Sequence, residues 1–189
     1  MPYHHGDLRR ALLDCALAAV NEHGPVELSL RDVARRAGVS HAAPAHHFRD
    51  KTGLLTALAA EGWTLLSDAL DVSDPAFAEL GVTYVVFATE HPAHFAVMRA
   101  PGLVRGDDPA LVAAQQRAGD QLRSGARRHP DAAAAADPTT ALAGWALVHG
   151  LAALLLEGAV APEPGTDVAT LARSVTTRLG PAHQPEKNR

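Results

Sequence analysis

Apolar residues recur at helical spacing along nearly the whole chain, and no segment alternates apolar and polar positions as a half-buried strand would. The apolar stripes end where glycine and proline stand, as the first one does at Gly24-Pro25, and this marks the ends of helices. The clearest stripes are Leu13, Ala16, Leu17 and Val20; Leu30, Val33, Ala34 and Ala37; and Leu54, Leu55, Leu58, Leu65 and Leu66. The pattern predicts an all-α protein of about nine helices.

Capping signals place several helix boundaries. Asp108-Pro109 and Asp137-Pro138 each put a capping carboxylate before a proline at the first helical position, where the missing N–H is harmless. Residue 166 or 167 begins the last predicted helix, which Gly180 closes. The short run DAAAAAD reads as a linker or a frayed helix.

Residues 29–38 carry a helix start and a helix stop. Ser29 with Asp32 three positions later resembles a capping box, so a helix is expected to begin at Leu30. Gly38 accepts the left-handed backbone conformation that ends many helices. This stretch predicts one short helix followed by a tight turn.

A second short helix is expected directly after that turn. Ser40 is predicted to cap it, with Val39 and Pro44 at the spacing of a hydrophobic staple. Phe48 is expected to turn inward and pin this helix to the first one. Two short helices joined by a glycine-containing turn of about three residues define a helix-turn-helix.

Composition bounds the class of protein. The length of 189 residues suits one ordinary domain or two small ones, and the single Cys15 excludes an intrachain disulfide framework. There is no secretion-signal pattern and no apolar run of the ~20 residues that span a bilayer. We therefore expect a cytoplasmic protein that does not associate with membranes.

The net charge of −4 is unevenly distributed along the chain. Residues 1–53 carry seven Arg and Lys against six Asp and Glu, whereas the rest carries ten against fifteen. Phosphate contacts act within a Debye length of about 8–10 Å, so a local basic face on the N-terminal third is compatible with the overall charge.

The eleven histidines raise the alternatives of a metal site and of catalysis. His91 and His94 have the spacing of helical metal ligands, but no Cys or paired Glu completes a set, and we predict no metal and no cofactor. Trp145 and His149 share one face of an apolar helix. His149 is either a structural histidine of the core or a contact in a ligand pocket; no nucleophile and orienting carboxylate accompany it, which disfavours an enzyme.

Residues 8–63 resemble the N-terminal DNA-binding domain of TetR-type transcriptional regulators. The matching stretches are LRRALLDCALAAVNEHG, LSLRDVARRAGVS and HHFRDKTGLL. Downstream, YVVFATEHPAHFAVM and Trp145-x-x-x-His149-Gly150 resemble the subgroup with a C-terminal Trp-His-Gly signature. The resemblance implies a helix-turn-helix domain over 1–52, a helical bundle for ligand binding and dimerisation over 53–180, and a disordered tail over 181–189.

The resemblance also implies which residues contact DNA. The helix after Ser40 would read bases, while Ser29 and Arg31 at one helix end, and a group around Lys51 at another, would hold phosphates. The full implied set is Ser29, Arg31, Ser40, His41, Ala42, Ala43, Pro44, His46, His47 and Lys51. The family commonly has a phosphate-contacting tyrosine where this chain has Ala45, so one anchoring contact is missing.

The recognition helix has no Arg, Lys, Asn or Gln, the side chains that form bidentate pairs with guanine or adenine. His41 and Ser40 can each add one hydrogen bond, and the alanines and Pro44 can pack against thymine methyls. We therefore expect several operator positions to be specified by thymine methyls or by DNA shape.

The C-terminal half is expected to bind an effector and a second subunit. The candidate ligand-binding residues are Trp63, Tyr84, Phe87, Met98, Trp145 and His149, although each could equally be core packing. The small-residue helices over 138–160 and 167–179 are expected to pair in a homodimer. A small apolar effector would shift the fourth helix, which runs from Trp63 to Lys51.

These expectations add up to a dimeric, ligand-responsive transcriptional regulator, a repressor of a pseudo-palindromic double-stranded operator. Two alternatives stay open at this stage. One is an α-helical enzyme using His149 or the His91–His94 pair; the other is a helical interaction module that keeps the helix-turn-helix shape without binding DNA, as Ala45 would allow.

Overall fold

The computed structural model describes the backbone of residues 5–179 and the side chains of residues 8–178. Over that range the chain forms ten α-helices, two short 3-10 helices and no strand. The all-α prediction is confirmed, and the predicted number of about nine helices is one too low. The α-helices are α1 (His5–Glu27), α2 (Leu30–Arg36), α3 (Ala43–Phe48), α4 (Lys51–Val72), α5 (Phe77–Glu90), α6 (Pro92–Met98), α7 (Pro109–Arg127), α8 (Ala132–Ala136), α9 (Thr140–Leu156) and α10 (Val168–Thr176); the 3-10 helices are Pro101–Leu103 and Thr177–Leu179. The predicted stop at Gly180 and the predicted tail over 181–189 lie outside the described residues.

Carboxylate caps start three of the helices, α7, α8 and α10. Asp108 Oδ1 accepts hydrogen bonds from the amides of Ala110 and Leu111 at 3.0 and 3.1 Å, so α7 begins at Pro109 as predicted. Asp167 caps α10 in the same way through the Thr170 amide at 2.7 Å. Asp131 starts α8, so the alanine run is a capped helix.

The predicted start of α9 at Pro138 is wrong by two residues. Asp137 Oδ1 accepts from both the amide and the hydroxyl of Thr139, at 2.8 and 2.7 Å. This local pairing closes a turn, and the helix therefore begins only at Thr140.

The chain folds into two compact units. One takes in the chain up to Leu65 together with His91–Gln116; the other takes in Leu66–Glu90 and the chain from Arg117 onward. The predicted DNA-binding domain over 1–52 falls within the first unit, and its functional boundary at residue 52 stays a prediction.

The first unit has a core of aliphatic side chains around Phe48. Helix α1 packs against α2 and α6, and α2 packs against α3. At Gly24 the backbone of α1 leaves helical geometry (φ 77°, ψ 167°), so the predicted stop at Gly24-Pro25 is a kink followed by one more turn. The largest fully buried side chains of this unit are Phe95, Leu12, Leu13, Val33, Leu54, Leu55, Leu58, Val97 and Leu111.

In the second unit, α5 packs against α9 and α10. The close approach of α9 to α5 requires a glycine, because a Cβ at Gly144 would lie 2.4 Å from Cζ of Phe77. Arg173 on α10 forks onto the Glu79 carboxylate of α5 at 2.7 and 2.8 Å. The second unit is therefore built on α5.

Candidate nucleic-acid interface and effector site

The turn after α2 has the geometry that a recognition helix requires. Gly38 has φ 67°, its amide bonds to Arg35 O at 3.2 Å, and the Val39 amide bonds to Ala34 O at 3.0 Å. These two bonds form a Schellman motif, which satisfies the last carbonyls of α2 and redirects the chain. The predicted helix stop at Gly38 is confirmed.

The predicted capping box at the start of α2 does not form. The helix begins at Leu30 as expected, but Ser29 makes no side-chain capping bond. Asp32, which should complete the box, instead accepts hydrogen bonds from Arg35 and Arg36, both at 2.5 Å. Hydrogen bonds from Arg35 and then Arg36 lower the pKa of the Asp32 carboxyl, and Arg36 also bridges to Glu22 on α1. The Asp32 carboxylate therefore binds two guanidinium groups of its own helix and does not cap the helix start.

The recognition helix α3 begins later than the sequence indicates. Ser40 does not cap it; Ala42 is the N-cap, α3 starts at Ala43, and residues 37–42 form a turn of six residues rather than about three. Pro44 lies in the first turn, where its missing N–H costs no helical bond. Its side chain is buried rather than directed outward, so we remove Pro44 from the base-contact set. Phe48 is buried, as predicted.

Most of the implied DNA-contact residues lie on the surface. The exposed members are Ser29, Arg31, Ser40, His41, Ala42 and His46, and the half-buried members are Ala43, His47 and Lys51. Among the described residues Arg31 forms no ion pair, so its charge is available to a ligand. Lys51 Nζ donates to Val26 O at 2.5 Å, which places the ammonium group beside the kinked end of α1. Ala45 is exposed, at the position where the family carries an aromatic residue.

A groove of about 460 Å³ in the first unit adds three arginines that the sequence reasoning missed. Arg9, Arg49 and Arg105 line it together with His47. Arg105 Nη2 bonds Asp50 Oδ2 at 2.6 Å, although 55 positions separate the two residues. The position of Asp50 directly before α4 is typical of a helix-capping carboxylate. Nothing in the sequence around Arg105 indicates that it pairs with Asp50.

Asp50 in turn orders the start of α4. Its Oδ1 accepts from the Gly53 amide at 2.8 Å, and this bond, with Arg105 beside it, lowers the pKa of the Asp50 carboxyl. Gly53 has no room for a side chain, because a Cβ there would lie 2.0 Å from Phe48 O and 2.6 Å from Arg105 Nη1. The ends of α3 and α4 therefore meet at Gly53.

Buried His94 belongs to a polar cluster with Glu61 and Arg10. Its Nε2 lies 3.1 Å from Glu61 Oε1, and Glu61 Oε2 accepts from Arg10 Nη1 at 2.6 Å. Burial lowers the pKa of His94, so the neutral ring donates to Glu61. Burial opposes ionisation of Glu61, but hydrogen bonds from Arg10 and His94 outweigh it and lower the pKa of the carboxyl. The cluster joins α1, α4 and α6.

The candidate effector residues divide between the two units. In the second unit Tyr84 Oη and His149 Nδ1 are hydrogen-bonded at 2.7 Å, and the Trp145 ring meets the His149 ring edge-on at 5.6 Å. Phe87 is buried on the same helix as Tyr84, whereas Trp145 is 40% exposed. The structure therefore brings Tyr84, Trp145 and His149 together.

The other two candidates lie in the first unit. Met98 packs against Gly62, where a Cβ would come within 2.7 Å of the Met98 sulfur. Trp63 is half-buried, and its Nε1 is a buried donor with no partner among the described residues. The contact with Gly62 fits a core-packing role for Met98. Trp63 keeps a hydrogen-bond donor that no described residue accepts.

A polar network in the second unit also escaped the sequence reasoning. Gln121 Nε2 on α7 donates to Ser67 O at 3.0 Å and to Asp71 Oδ1 at 2.5 Å, and Arg117 binds Asp71 and Asp68. Ser67 Oγ and Gln121 Oε1 are buried and unpartnered among the described residues. No sequence pattern distinguishes Ser67 or Gln121 from ordinary helix residues.

Two negative observations apply to the part of the chain that the structure describes. No group of three or more His, Cys, Asp or Glu side chains is placed to hold a metal ion, and the His91 and His94 rings stack edge-to-face at 5.9 Å. None of the helices has the combined length and apolar character needed to cross a bilayer.

Comparisons with known proteins agree with this architecture. A family model described as "Bacterial regulatory proteins, tetR family" matches residues 12–58, and one described as "Tetracyclin repressor-like, C-terminal domain" matches residues 77–179. The second is a different C-terminal domain from the Trp-His-Gly one, so that subgroup is not confirmed.

Individual relatives point the same way. The HTH-type transcriptional regulator BetI of Escherichia coli is 45% identical over 62 residues, which is 33% of this chain and 32% of BetI. The chain thus matches about a third of the length of that curated relative. A protein of unknown function from Rhodococcus sp. RHA1 is 34% identical in a solved structure, with a TM-score of 0.74 and coverage of 95% of this chain and 96% of that one. The multidrug binding protein EbrR, complexed with imidazole, is 26% identical, with a TM-score of 0.60 and coverage of 99% and 96%.

Proposed function

Since the chain belongs to the TetR family of bacterial regulatory proteins, we propose that it is a ligand-responsive repressor of transcription that binds a pseudo-palindromic operator as a homodimer. The observation that carries this proposal is the exposed surface of the α2-turn-α3 unit. A Schellman turn and the buried Phe48 fix α3, while Ser40, His41 and His46 stay exposed. A rigid scaffold that presents polar side chains on a slim helix suits insertion into a major groove about 12 Å wide.

Base reading would depend on few hydrogen bonds. His41 and Ser40 are the exposed donors near the start of α3, and Ala42 and Ala45 are the exposed apolar residues beside them. Without a bidentate side chain in this stretch, thymine methyls and DNA shape would specify several positions. Arg31 and Lys51 would hold the phosphates on either side, and exposed Arg49, directly after α3, is a further candidate.

The homodimer is proposed to form through α9 and α10, the helices predicted over 138–160 and 167–179. Helix α9 carries four of the five large apolar side chains that the described part of the second unit leaves exposed, among them Leu142 at 60% and Trp145 at 40%. A second subunit would cover such a face. The exposure of Trp145 favours a role at the subunit interface over a role in a closed pocket.

Effector binding is proposed to involve Tyr84, Phe87 and His149 of the second unit, while a ligand contact by Trp63 of the first unit stays a separate prediction. The Tyr84–His149 pair is a polar feature beside buried aromatic side chains, which suits a ligand with an apolar body. Helix α4 begins at Lys51, so a ligand that displaces α4 would move this phosphate-contact residue. The ligand acts only if it binds the DNA-bound and free states with different affinity. The Trp-His-Gly assignment of Trp145, His149 and Gly150 stays a prediction.

The proposal is tested by selecting binding sites from a randomised duplex library with the full-length protein. We expect enrichment of a two-fold symmetric site with half-sites about one helical turn apart. The variant His41→Ala should relax the preference at one or two base pairs in each half-site, whereas His23→Ala, an exposed histidine on α1, should leave the selected site unchanged.

Absence of any enriched site at low salt would contradict the proposal. It would favour the interaction module without DNA binding that exposed Ala45 allows. An unchanged preference in His41→Ala would instead remove His41 from the reading residues while leaving DNA binding intact.

A further inference from the structure

Two side chains of the second unit hold buried polar atoms that have no partner in the described part of the chain. Ser67 on α4 is 0% exposed, and its Oγ has no hydrogen-bond partner among the described residues; the same holds for Gln121 Oε1 on α7. Because an unmade hydrogen bond in a protein interior is costly, native structures keep few such atoms, and each requires a reason. Gln121 Nε2 bonds Ser67 O at 3.0 Å, so the two residues are neighbours.

The Gln121 carboxamide is held in one orientation. Its Nε2 donates to Ser67 O and to Asp71 Oδ1, which uses both N–H groups. Hydrogen bonds from Arg117 and then Gln121 lower the pKa of the Asp71 carboxyl, so Asp71 stays an ionised acceptor at neutral pH. Turning the amide over would lose both bonds. Gln121 Oε1 is therefore fixed as a pure acceptor inside the second unit.

We propose that Ser67 Oγ and Gln121 Oε1 form the polar end of the effector site, and that the effector is a hydroxyl compound, an alcohol or a phenol, with an apolar body. The inference deepens the proposed function, because it assumes that an effector exists. A ligand hydroxyl would donate to Gln121 Oε1 and accept from the Ser67 hydroxyl, which satisfies both atoms at once. An ether of the same shape would leave Gln121 Oε1 unpaired.

The hydrogen-bond network that holds the Gln121 carboxamide is typical of a binding site, where an atom that recognises a ligand is fixed in advance. The chain from Arg117 through Asp71 to Gln121 orients one acceptor by interactions with exposed residues. If the network served stability alone, the acceptor that it orients would be paired within the chain or with a buried water, and the first test below separates the second case from a ligand site. Sites that recognise a ligand polar group hold the recognising atom in place before the ligand arrives.

The first test uses the ligand-free, full-length protein. Removing an unsatisfied hydroxyl should stabilise the fold, so Ser67→Ala should raise the Tm by about 2–4 °C. The matched control Ser174→Ala, an exposed serine on α10, should stay within about 1 °C. A fall in the Tm of Ser67→Ala would overturn the proposal, since the hydroxyl would then be satisfied by a structural water.

The second test measures binding of two matched probe pairs by calorimetry: 4-ethylphenol with 4-ethylanisole, and cyclohexanol with methoxycyclohexane. Each ether keeps the acceptor oxygen and loses the donor. We expect each hydroxyl probe to bind at least tenfold more tightly than its ether. The preference should disappear in the double variant Ser67→Ala, Gln121→Met and persist in Gln116→Met, which changes an exposed glutamine of the same helix.

Equal binding of alcohol and ether, a preference that survives the double variant, or binding by none of the four probes would each overturn the inference. Operator affinity is measured separately with and without 4-ethylphenol. If the hydroxyl preference holds but the probe leaves operator affinity unchanged, the polar site stands and the proposed regulation fails. If operator affinity responds equally to ether and alcohol, regulation stands and the polar site fails.

Discussion

The helix-turn-helix and the effector region are built from contacts of opposite range. In the first, the Schellman turn joins residues three and five positions apart, and Arg35 and Arg36 bind Asp32 on the same helix. In the second, Tyr84 meets His149 across 65 positions, and Gln121 meets Ser67 across 54. The proposed DNA-reading surface is thus set by local sequence, while the candidate ligand contacts depend on the assembled unit.

The two regions also differ in how they use polar groups. The candidate DNA contacts Ser40, His41 and His46 are exposed, where water satisfies them until DNA binds. Ser67 Oγ and Gln121 Oε1 are buried without a partner among the described residues. Substitutions of the exposed candidate DNA contacts should therefore change operator affinity more than the free energy of unfolding. Substitutions of the buried polar residues of the second region should change the free energy of unfolding more than operator affinity.

The largest expected effect comes from Gly53→Ala, at the contact between α3 and α4. The added Cβ would meet the backbone oxygen of Phe48, which cannot move as a side-chain end can. We expect a loss of about 3 kcal/mol in the free energy of unfolding and loss of operator binding. Chemical denaturation measures the first and a binding assay the second.

The matched control for this substitution is Gly106→Ala, since a Cβ there meets nothing within 4 Å. It should leave stability within about 0.5 kcal/mol of wild type. Equal stability of the two variants would show that the close approach of α3 and α4 is not required.

Lys51→Ala should weaken binding to every DNA sequence by about tenfold and reduce the slope of log affinity against log salt by about one. The reason is the loss of one phosphate contact at the start of α4. Arg127→Ala, which removes an exposed charge in the second unit, is the control and should leave the slope unchanged. A loss confined to one operator position would contradict the phosphate assignment.

Tyr84→Phe should cost about 1 kcal/mol of unfolding free energy, because His149 Nδ1 loses the hydrogen bond at 2.7 Å. Operator affinity without ligand should change less than twofold. A large loss of operator affinity with unchanged stability would reverse the contrast between the two regions.

The smallest expected effect is a pH dependence carried by His94. Burial lowers its pKa below the ordinary 6.5, so the unfolded chain takes up a proton at a pH where the folded protein does not. Stability is fully present above pH 6.5 and should fall as the pH drops below it, by at most about 1.4 kcal/mol per pH unit. The charged and titratable groups that act on His94 are Glu61, Arg10 and His91.

Denaturation at pH 7 and 5.5 measures this slope. His94→Gln keeps a donor to Glu61 but cannot titrate, so it should flatten the dependence over this window. An equally steep slope in the variant would assign the pH dependence to other groups. Glu61 adds to the pH dependence of stability only at lower pH, because its pKa is held below the ordinary carboxyl value.

The sequence predicted what neighbouring residues decide. The α2 stop at Gly38, the inward Phe48 and the caps at Asp108 and Asp167 each depend on a few adjacent positions, and all are confirmed. The errors arose where a side chain had a competing partner, as when Asp137 bound Thr139 and closed a turn before α9.

The effector region shows the limit of such reasoning. Tyr84 and His149 were each singled out as aromatic or polar residues on apolar helices, but their hydrogen bond could not be inferred. Ser67 and Gln121 carry no signal at all, because burial of an unpartnered atom exists only in the folded unit. The Arg105–Asp50 pair of the first unit likewise could not be predicted, because 55 positions separate the two residues and only the fold brings them together.

The most direct test of the central claim is the affinity of the full-length protein for its selected duplex as a function of salt concentration, set beside a scrambled duplex. We expect two protomers per symmetric site, a steep loss of affinity with salt for both duplexes, and tighter binding to the selected one at every salt concentration. Equal, weak binding to both duplexes would contradict the claim that the exposed turn and α3 read DNA.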